Sequence, residues 1–339
     1  MKLAKSLKVL RVDPQGSDAV LLSFTPDAAQ QADFHFGPGQ YLTVMGGPTD
    51  NEQWRCYSLT SDPADIEVLS VLVRRVPGGL VSNWLCDHIQ PGQHLQVFRP
   101  AGHFALRQPG RPTLLFAGGS GIAPIYSLAR QALAEGASRV CLFYANRDRG
   151  TAMLMKELAA LQEQYGERID LRCWYDAEQG LPTAQALADC TIKFDADEAY
   201  LCGPEPFMNA VQGALLSVGM GAGNILREEF ILDAADDFDA EGPAKDRAGT
   251  ATLLVHLKGQ THQVEVQKKD TLLAAMIKSG LTVPHACKVG ECASCMCRLE
   301  SGEIDRLSNS VLDEDDVEAG WLVACRTHAI SDEVRIRFG

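Results

Sequence analysis

No apolar run in this chain approaches the length needed to cross a bilayer, and its start, Met1-Lys2-Leu3-Ala4-Lys5-Ser6, opens into a polar stretch without the apolar region of a secretory signal. The expectation is a cytoplasmic protein with no membrane insertion. Positive charge is also scarce: 31 Lys and Arg stand against 44 Asp and Glu, a formal net charge of −13. That balance argues against a nucleic-acid partner, whose phosphates would be repelled, and favours a partner with a basic patch. Internal repeats and low-complexity tracts are absent. The 11 cysteines show no disulfide framework of the kind that staples small secreted domains. What is present, 46% apolar residues over 339 positions, suits two or three globular domains.

Four of the cysteines carry the strongest signal. Cys287, Cys292 and Cys295 in Pro284-His285-Ala286-Cys287-Lys288-Val289-Gly290-Glu291-Cys292-Ala293-Ser294-Cys295, with Cys325 far downstream, have the Cys-x4-Cys-x2-Cys…Cys spacing of a plant-type [2Fe–2S] cluster. Small residues in the loop let backbone N–H groups reach the sulfurs and tune the potential. A structural zinc site is the alternative, but it would offer a second close Cys or His pair, whereas Cys325 stands alone; a Rieske centre would need two His ligands. Cys297 reads as a packed small hydrophobe.

Turn-punctuated short strands fill the first third: Lys8 to Val12, Ala19 to Phe24, Gln40 to Val44, Cys56 to Thr60, Ile66 to Val73 and His94 to Phe98, with one helix from Val81 to about His88. They predict a small antiparallel barrel. From Pro112 apolar strands alternate with helices at Pro124 to Glu135, Thr151 to Gln164 and Pro206 to Ser217, predicting an open parallel sheet with ligand sites at the strand carboxyl ends. The polar stretch after Leu232 reads as a linker, followed by a hairpin turning at Lys258-Gly259-Gln260 and a helix from Leu272 to Ser279. The expected boundaries are 1–109, 110–232, a linker at 233–249, and 250–339.

Arg55-Cys56-Tyr57-Ser58 ends a barrel strand, so Arg55 and Tyr57 share a face, where Arg can hold a phosphate and Tyr can pack on a flavin. Pro77-Gly78-Gly79-Leu80-Val81-Ser82 opens the lone helix, whose free N–H groups could receive a pyrophosphate. Ala117-Gly118-Gly119-Ser120-Gly121 joins strand to helix but lacks the third Gly of the dinucleotide fingerprint, and Cys202-Gly203-Pro204 ends another strand on the same rim. Asn146-Arg147-Asp148-Arg149 follows the second strand of that domain, where Arg147 and Arg149 could read a 2′-phosphate, whereas Asp148 between them could pair with either and argues for the unphosphorylated cofactor, so use of both NADH and NADPH is expected.

In this order, Arg55-x-Tyr57-Ser58, Gly78-Gly79-x-x-Ser82, Gly119-x-Gly121-Ile-Ala-Pro124, Cys202-Gly203-Pro204 and Glu228-Glu229-Phe230 resemble the ferredoxin–NADP reductase superfamily. With the cysteine module at its end, the whole chain resembles oxygenase reductases of the phenylacetyl-CoA epoxidase and 3-ketosteroid 9α-hydroxylase type. The resemblance implies a flavin-binding β-barrel, an α/β NAD(P)-binding domain with a parallel sheet, and an α+β β-grasp ferredoxin domain. It also implies FAD rather than FMN, held by Arg55, Tyr57 and Ser58 and, at its phosphates, by Leu80, Val81 and Ser82. Gly119, Ser120, Gly121, Gly203 and Pro204 would line the dinucleotide site, with Cys202 beside the nicotinamide and Phe230 against the flavin. Ser58, Cys202 and Glu228 would flank the reacting atoms.

The implied route runs from NAD(P)H through FAD and [2Fe–2S] to a terminal oxygenase. A reductase for another metalloprotein, such as a hybrid-cluster protein, and a redox-sensing or electron-carrier module are the alternatives. The acidic segment Asp313 to Glu318, shortly before Cys325, is the expected docking surface; its alternative is solvated helix surface.

Overall fold

A computed structural model describes residues 4–49, 51–191, 194, 196–230 and 249–338. Six strands, β1 (Lys5–Gln15), β2 (Ala19–Thr25), β3 (Tyr41–Gly46), β4 (Gln53–Ser58), β5 (Leu69–Arg74) and β6 (His94–Val97), form one sheet in the order β4-β3-β6-β1-β2-β5. Its ends meet where Leu59 bridges Val71 and the Thr60 N–H reaches the Ser70 carbonyl at 2.8 Å, so the sheet closes into the expected barrel. Inward Leu7, Leu22, Leu42, Val44 and Val71 fill it, and α1 (Leu80–His88) presses Val81 and Leu85 against them. The strand expected at Cys56 to Thr60 lies earlier, because Leu59 and Thr60 are spent on closing the barrel.

β7 (Thr113–Gly118), α2 (Ile122–Ala134), β8 (Val140–Asn146), α3 (Met155–Tyr165), β9 (Ile169–Tyr175), α4 (Asp176–Gln179), α5 (Ala184–Ala188), β10 (Ala199–Cys202), α6 (Glu205–Ser217) and β11 (Ile225–Glu228) build a parallel sheet ordered β11-β10-β7-β8-β9. Every residue of β7, β8 and β10 is buried, as helices on both faces of a parallel sheet require. α3 starts later than the expected Thr151. The Asp148 carboxylate caps the Thr151 N–H at 2.9 Å, completing a separate 3₁₀ turn, and Leu154 then turns left-handed at φ 55°.

The remaining strands are β12 (Thr250–Leu257), β13 (Gln260–Gln267), β14 (Met296–Ser301), β15 (Ile304–Arg306), β16 (Trp321–Val323), β17 (Thr327–Ala329) and β18 (Glu333–Arg337), with α7 (Leu272–Lys278) and α8 (Glu314–Glu318). They give a mixed sheet, β13-β12-β18-β14-β16, in which β12 and β18 run parallel, and a small β15-β17 ribbon. Leu272, Leu273 and Met276 of α7 are buried in its core. The hairpin turns on two residues, Lys258 (φ 49°) and Gly259 (φ 77°), since Gln260 already pairs with Leu257. The expected linker lies, except for Gly249, outside the described residues. Among those described, no helix is long and apolar enough to cross a membrane.

One packing feature positions the site. Trp54 and Phe98 of the barrel, with ring centroids 4.4 Å apart, are buried in the same apolar cluster as Leu253, Leu322 and Cys325. The first and last domains therefore share a core at their seam.

Candidate functional site

The cysteine loop is wound tightly by left-handed residues at Lys288 (φ 60°), Gly290 (φ 86°) and Ala293 (φ 59°). This winding turns amides inward: Cys287 Sγ accepts from the N–H groups of Val289 and Glu291, each at 3.4 Å, and Cys292 Sγ from that of Cys287 at 3.3 Å. The Ser294 hydroxyl lies 2.9 Å from Cys292 Sγ. Cys325 arrives from the turn after β16, anchored by the Ala324 N–H on the Cys295 carbonyl at 3.1 Å. The four thiols lie within reach of one another, Cys287 beside Cys292 and Cys295 beside Cys325, and Cys292 also meets Cys56 of the barrel. Among the described residues no three His, Cys, Asp or Glu side chains converge where one ion could sit. Four thiols beneath inward N–H groups suit a binuclear cluster, which takes four protein sulfurs. Cys297 is fully buried in the apolar core.

On the barrel, β3 pairs with β4 in the register Met45↔Trp54, Thr43↔Cys56 and Tyr41↔Ser58. Alternation puts Trp54, Cys56 and Ser58 on one face of β4, with Trp54 packed in the cluster-domain core, and Arg55 and Tyr57 on the other, from which the Arg55 guanidinium still acts on His285 and Lys288 of the cysteine loop. Arg55 donates to the Trp54 carbonyl (2.7 Å) and to Gln53 Oε1 (2.9 Å), and burial holds its guanidinium below its ordinary value. Burial pushes the Tyr57 hydroxyl up. At the start of α1 no side chain caps the helix at Gly79, and a Cβ built on Gly78 would meet nothing within 4 Å, which leaves room for a phosphate over the N–H groups of Leu80, Val81 and Ser82. The Ser82 hydroxyl itself is committed to the Val76 N–H at 3.2 Å.

In the parallel sheet, the turns after β7 and β10 interlock backbone to backbone. A Cβ on Gly121 would fall 2.1 Å from the Cys202 carbonyl oxygen, and one on Gly203 would fall 2.9 Å from Gly118 Cα. Ser120 is half-buried between them. Nearby, Asn146 at the carboxyl end of β8 is 4% exposed, yet neither amide atom has a well-formed partner, because the Tyr144 hydroxyl beside it is committed to Met153. An orphaned amide on this rim suits a polar ligand there. Arg149 is bound by both oxygens of Glu178, at 2.7 and 3.0 Å, and stacks on Tyr175. Arg147 keeps 64% of its side chain exposed between Asp18 and Asp148, each 3.5 Å away. Asp148 thus pairs with Arg147 and not with Arg149.

Cys202 is register-paired with Glu228 on β11. Burial, and then Glu228, push the Cys202 thiol well up. The Glu228 carboxyl is pushed up to about 7, first by burial and then by Glu291, with His103 opposing. Phe230, just beyond β11, is 39% exposed. Glu228 therefore binds its proton more tightly folded than unfolded: the stability it contributes is complete below its ordinary value of 4.5 and is lost as pH rises through about 7. A Glu228→Gln variant, which cannot ionise, should match the parent in urea midpoint near pH 4.5 and exceed it progressively up to pH 7. Parallel midpoints across that window would contradict the buried carboxyl.

Sequence reasoning missed Tyr41, His103, Asn146 and Glu291. Tyr41 and His103 lie 250 and 188 residues from Glu291, the acid they bind, and nothing local marks either of them.

Three families match in the order of the domains: the oxidoreductase FAD-binding domain over residues 7–106, the oxidoreductase NAD-binding domain over 115–213, and the 2Fe-2S iron-sulfur cluster binding domain over 255–329. The chain is 37% identical to the ferredoxin reductase component of 3-ketosteroid-9-alpha-monooxygenase from Rhodococcus rhodochrous, over 96% of this chain and 98% of that protein. It is 29% identical to one of the subunits of 1,2-phenylacetyl-CoA epoxidase from Escherichia coli strain K12, over 98% and 97% of the two chains. Among solved structures, phthalate dioxygenase reductase shares the fold with a TM-score of 0.61 at 24% identity, covering 99% of this chain and 98% of that one.

Proposed function

We propose, for a chain that belongs to the family of ferredoxin reductase components of oxygenases, a route in which electrons enter from NAD(P)H, pass FAD and a [2Fe–2S] cluster, and leave to a terminal oxygenase. The observation that carries it is the convergence of three domains on one junction: Tyr41, the register partner of Ser58, hydrogen-bonds Glu291 of the cysteine loop, and Glu228 feels both Glu291 and His103. Bound FAD accepts a hydride, two electrons at once, and releases electrons singly to a one-electron cluster.

The chain's own work is to bind and orient. Arg55 and Tyr57 hold the flavin, while Leu80, Val81 and Ser82 present helix N–H groups to its phosphates. Gly119, Ser120, Gly121, Gly203 and Pro204 let the dinucleotide approach the backbone. Ser58, Cys202 and Glu228 surround the reacting atoms, with Phe230 at the edge. Cys287, Cys292, Cys295 and Cys325 hold the cluster. We take the domains to divide at 1–109, 110–232 and 250–339, and we place the protein in the cytoplasm, where its buried non-ligand thiols stay reduced. Cofactor-loaded protein should reduce cytochrome c with NADH and with NADPH. Absence of any turnover would favour an electron-carrier module instead.

In this reading Arg147 meets a 2′-phosphate, supported by the hold of Glu178 on Arg149 and by the exposure of Arg147 between Asp18 and Asp148. Arg147→Ala should raise KM for NADPH about tenfold and leave that for NADH unchanged, the loss of one charge-assisted contact. Equal changes for both cofactors would remove Arg147 from the specificity argument.

For the outgoing electron, α8 exposes Glu314, Asp315 and Glu318 near the turn that carries Cys325. A basic oxygenase surface would be steered there, raising association rate more than affinity and fading over a screening length of about 10 Å at 0.1 M salt. Asn at 313, 315 and 316 should slow oxygenase reduction at low salt only. The Asp313 cap on the Asp316 N–H survives because Asn caps as well. Identical rates for parent and variant through a salt titration would return α8 to solvated surface.

A further inference from the structure

The face of β3 and β4 turned toward the cluster domain carries more than apolar packing. Tyr41 is fixed there by two backbone bonds to Ala101, at 2.8 and 3.0 Å, and by its register with Ser58. Two residues after Ala101 comes His103, so both side chains project from one corner of the barrel. Into that corner reaches Glu291: one carboxylate oxygen accepts from the Tyr41 hydroxyl at 3.4 Å, the other from His103 Nδ1 at 2.9 Å. The backbone of the same residue donates to Cys287 Sγ at 3.4 Å. A single residue thus holds a candidate cluster ligand with its amide and the flavin domain with its side chain. Because Tyr41 lies directly across from Ser58, this contact fixes the cysteine loop beside the strand end where the flavin is read to sit.

We propose that Glu291 is a positioning residue that, by bonding Tyr41 and His103, clamps the cysteine loop onto the flavin domain and so sets the rate at which an electron passes from flavin to cluster. The proposal rests on the NAD(P)H–flavin–cluster route. Trp54 and Phe98 bring the domains together by apolar burial, which is non-directional; the carboxylate fixes which part of the loop faces Ser58. None of the three side chains is assigned to iron or to the nicotinamide, and because His103 and Glu291 bear on Glu228 with opposite sign, the clamp is read in cluster reduction relative to flavin reduction of the same variant.

The side chain of His103 is 72% exposed, so its replacement does not threaten the fold. In rapid mixing of cofactor-loaded protein with NADH, His103→Ala should slow cluster reduction relative to flavin reduction about threefold, the scale of one solvent-exposed hydrogen-bonded pair. Amide exchange of the segment 286–292 should rise in parallel, a readout independent of turnover. His103→Asn, whose amide can donate from nearly the same place as Nδ1, should restore both. His103→Ala combined with Glu291→Ala should be no slower than the slower single variant, because the two act through one bond. Parent-like cluster reduction in His103→Ala, additive losses in the double variant, or unchanged exchange would each overturn the clamp. A parent protein whose cluster is not reduced after its flavin would instead remove the route itself, and the clamp with it.

Discussion

Cys292→Ser should lose its iron and its ability to deliver electrons to the oxygenase, while NAD(P)H continues to reduce its flavin at close to the parent rate. Cys292 is 3% exposed, takes the Cys287 N–H and touches the Ser294 hydroxyl, so its sulfur sits at the centre of the hydrogen-bonded loop. A serine hydroxyl is a poor substitute for a thiolate at iron, and one lost ligand of four opens the cluster to solvent. Hydride transfer, by contrast, is proposed above to take place beside Ser58, Cys202 and Glu228, in two other domains. The separation is checked by iron content, by ferricyanide reduction, which needs only the flavin, and by reduction of the oxygenase. The expected loss is total for the last and under twofold for ferricyanide. Equal loss of both would show that the cluster domain is needed to fold the flavin site.

The second large effect falls on the other side of the molecule. Gly121→Ala places a methyl 2.1 Å from the Cys202 carbonyl oxygen and 2.8 Å from the Gly203 nitrogen, and both obstacles are backbone. No side chain can swing away, so the carboxyl ends of β7 and β10 must part. Overpacking of this kind costs about 1–3 kcal/mol, and here it moves the rim on which the dinucleotide is read to lie. Flavin reduction by NAD(P)H should fall at least about tenfold through KM and rate together, since misplacement of about 1 Å is that costly. Iron content and the cluster spectrum should not change. Full flavin reduction in Gly121→Ala would mean that the dinucleotide does not use this turn.

Much of this was legible in the chain. Parallel strands such as Leu114 to Ala117 announce themselves because burial on both faces demands an unbroken apolar run, and the cysteine spacing is fixed by the loop that must wrap two irons. Boundaries were harder where tertiary contacts reassign residues, as when Leu59 and Thr60 leave their strand to close the barrel. The fate of Arg149 was not readable, because its partner Glu178 lies in the helix after the next strand. The junction was least visible of all. Tyr41, His103 and Glu291 come together only when the first and last domains pack, and hydrogen bonds across 188 and 250 residues leave no periodicity in the sequence. The pairing of Cys202 with Glu228 was implied by the resemblance as two separate residues; register placed them side by side.

The central claim is that electrons travel in series, from NAD(P)H to flavin and only then to the cluster. Rapid mixing of cofactor-loaded protein with limiting NADH, followed at the separate absorbances of flavin and cluster, tests it most directly. The account predicts that the flavin signal falls first, that the cluster signal follows without a phase of its own at zero time, and that the second phase vanishes in Cys292→Ser while the first persists. A cluster that is reduced before the flavin, or at the same rate in a variant whose flavin site is disabled by Arg55→Ala, would contradict it.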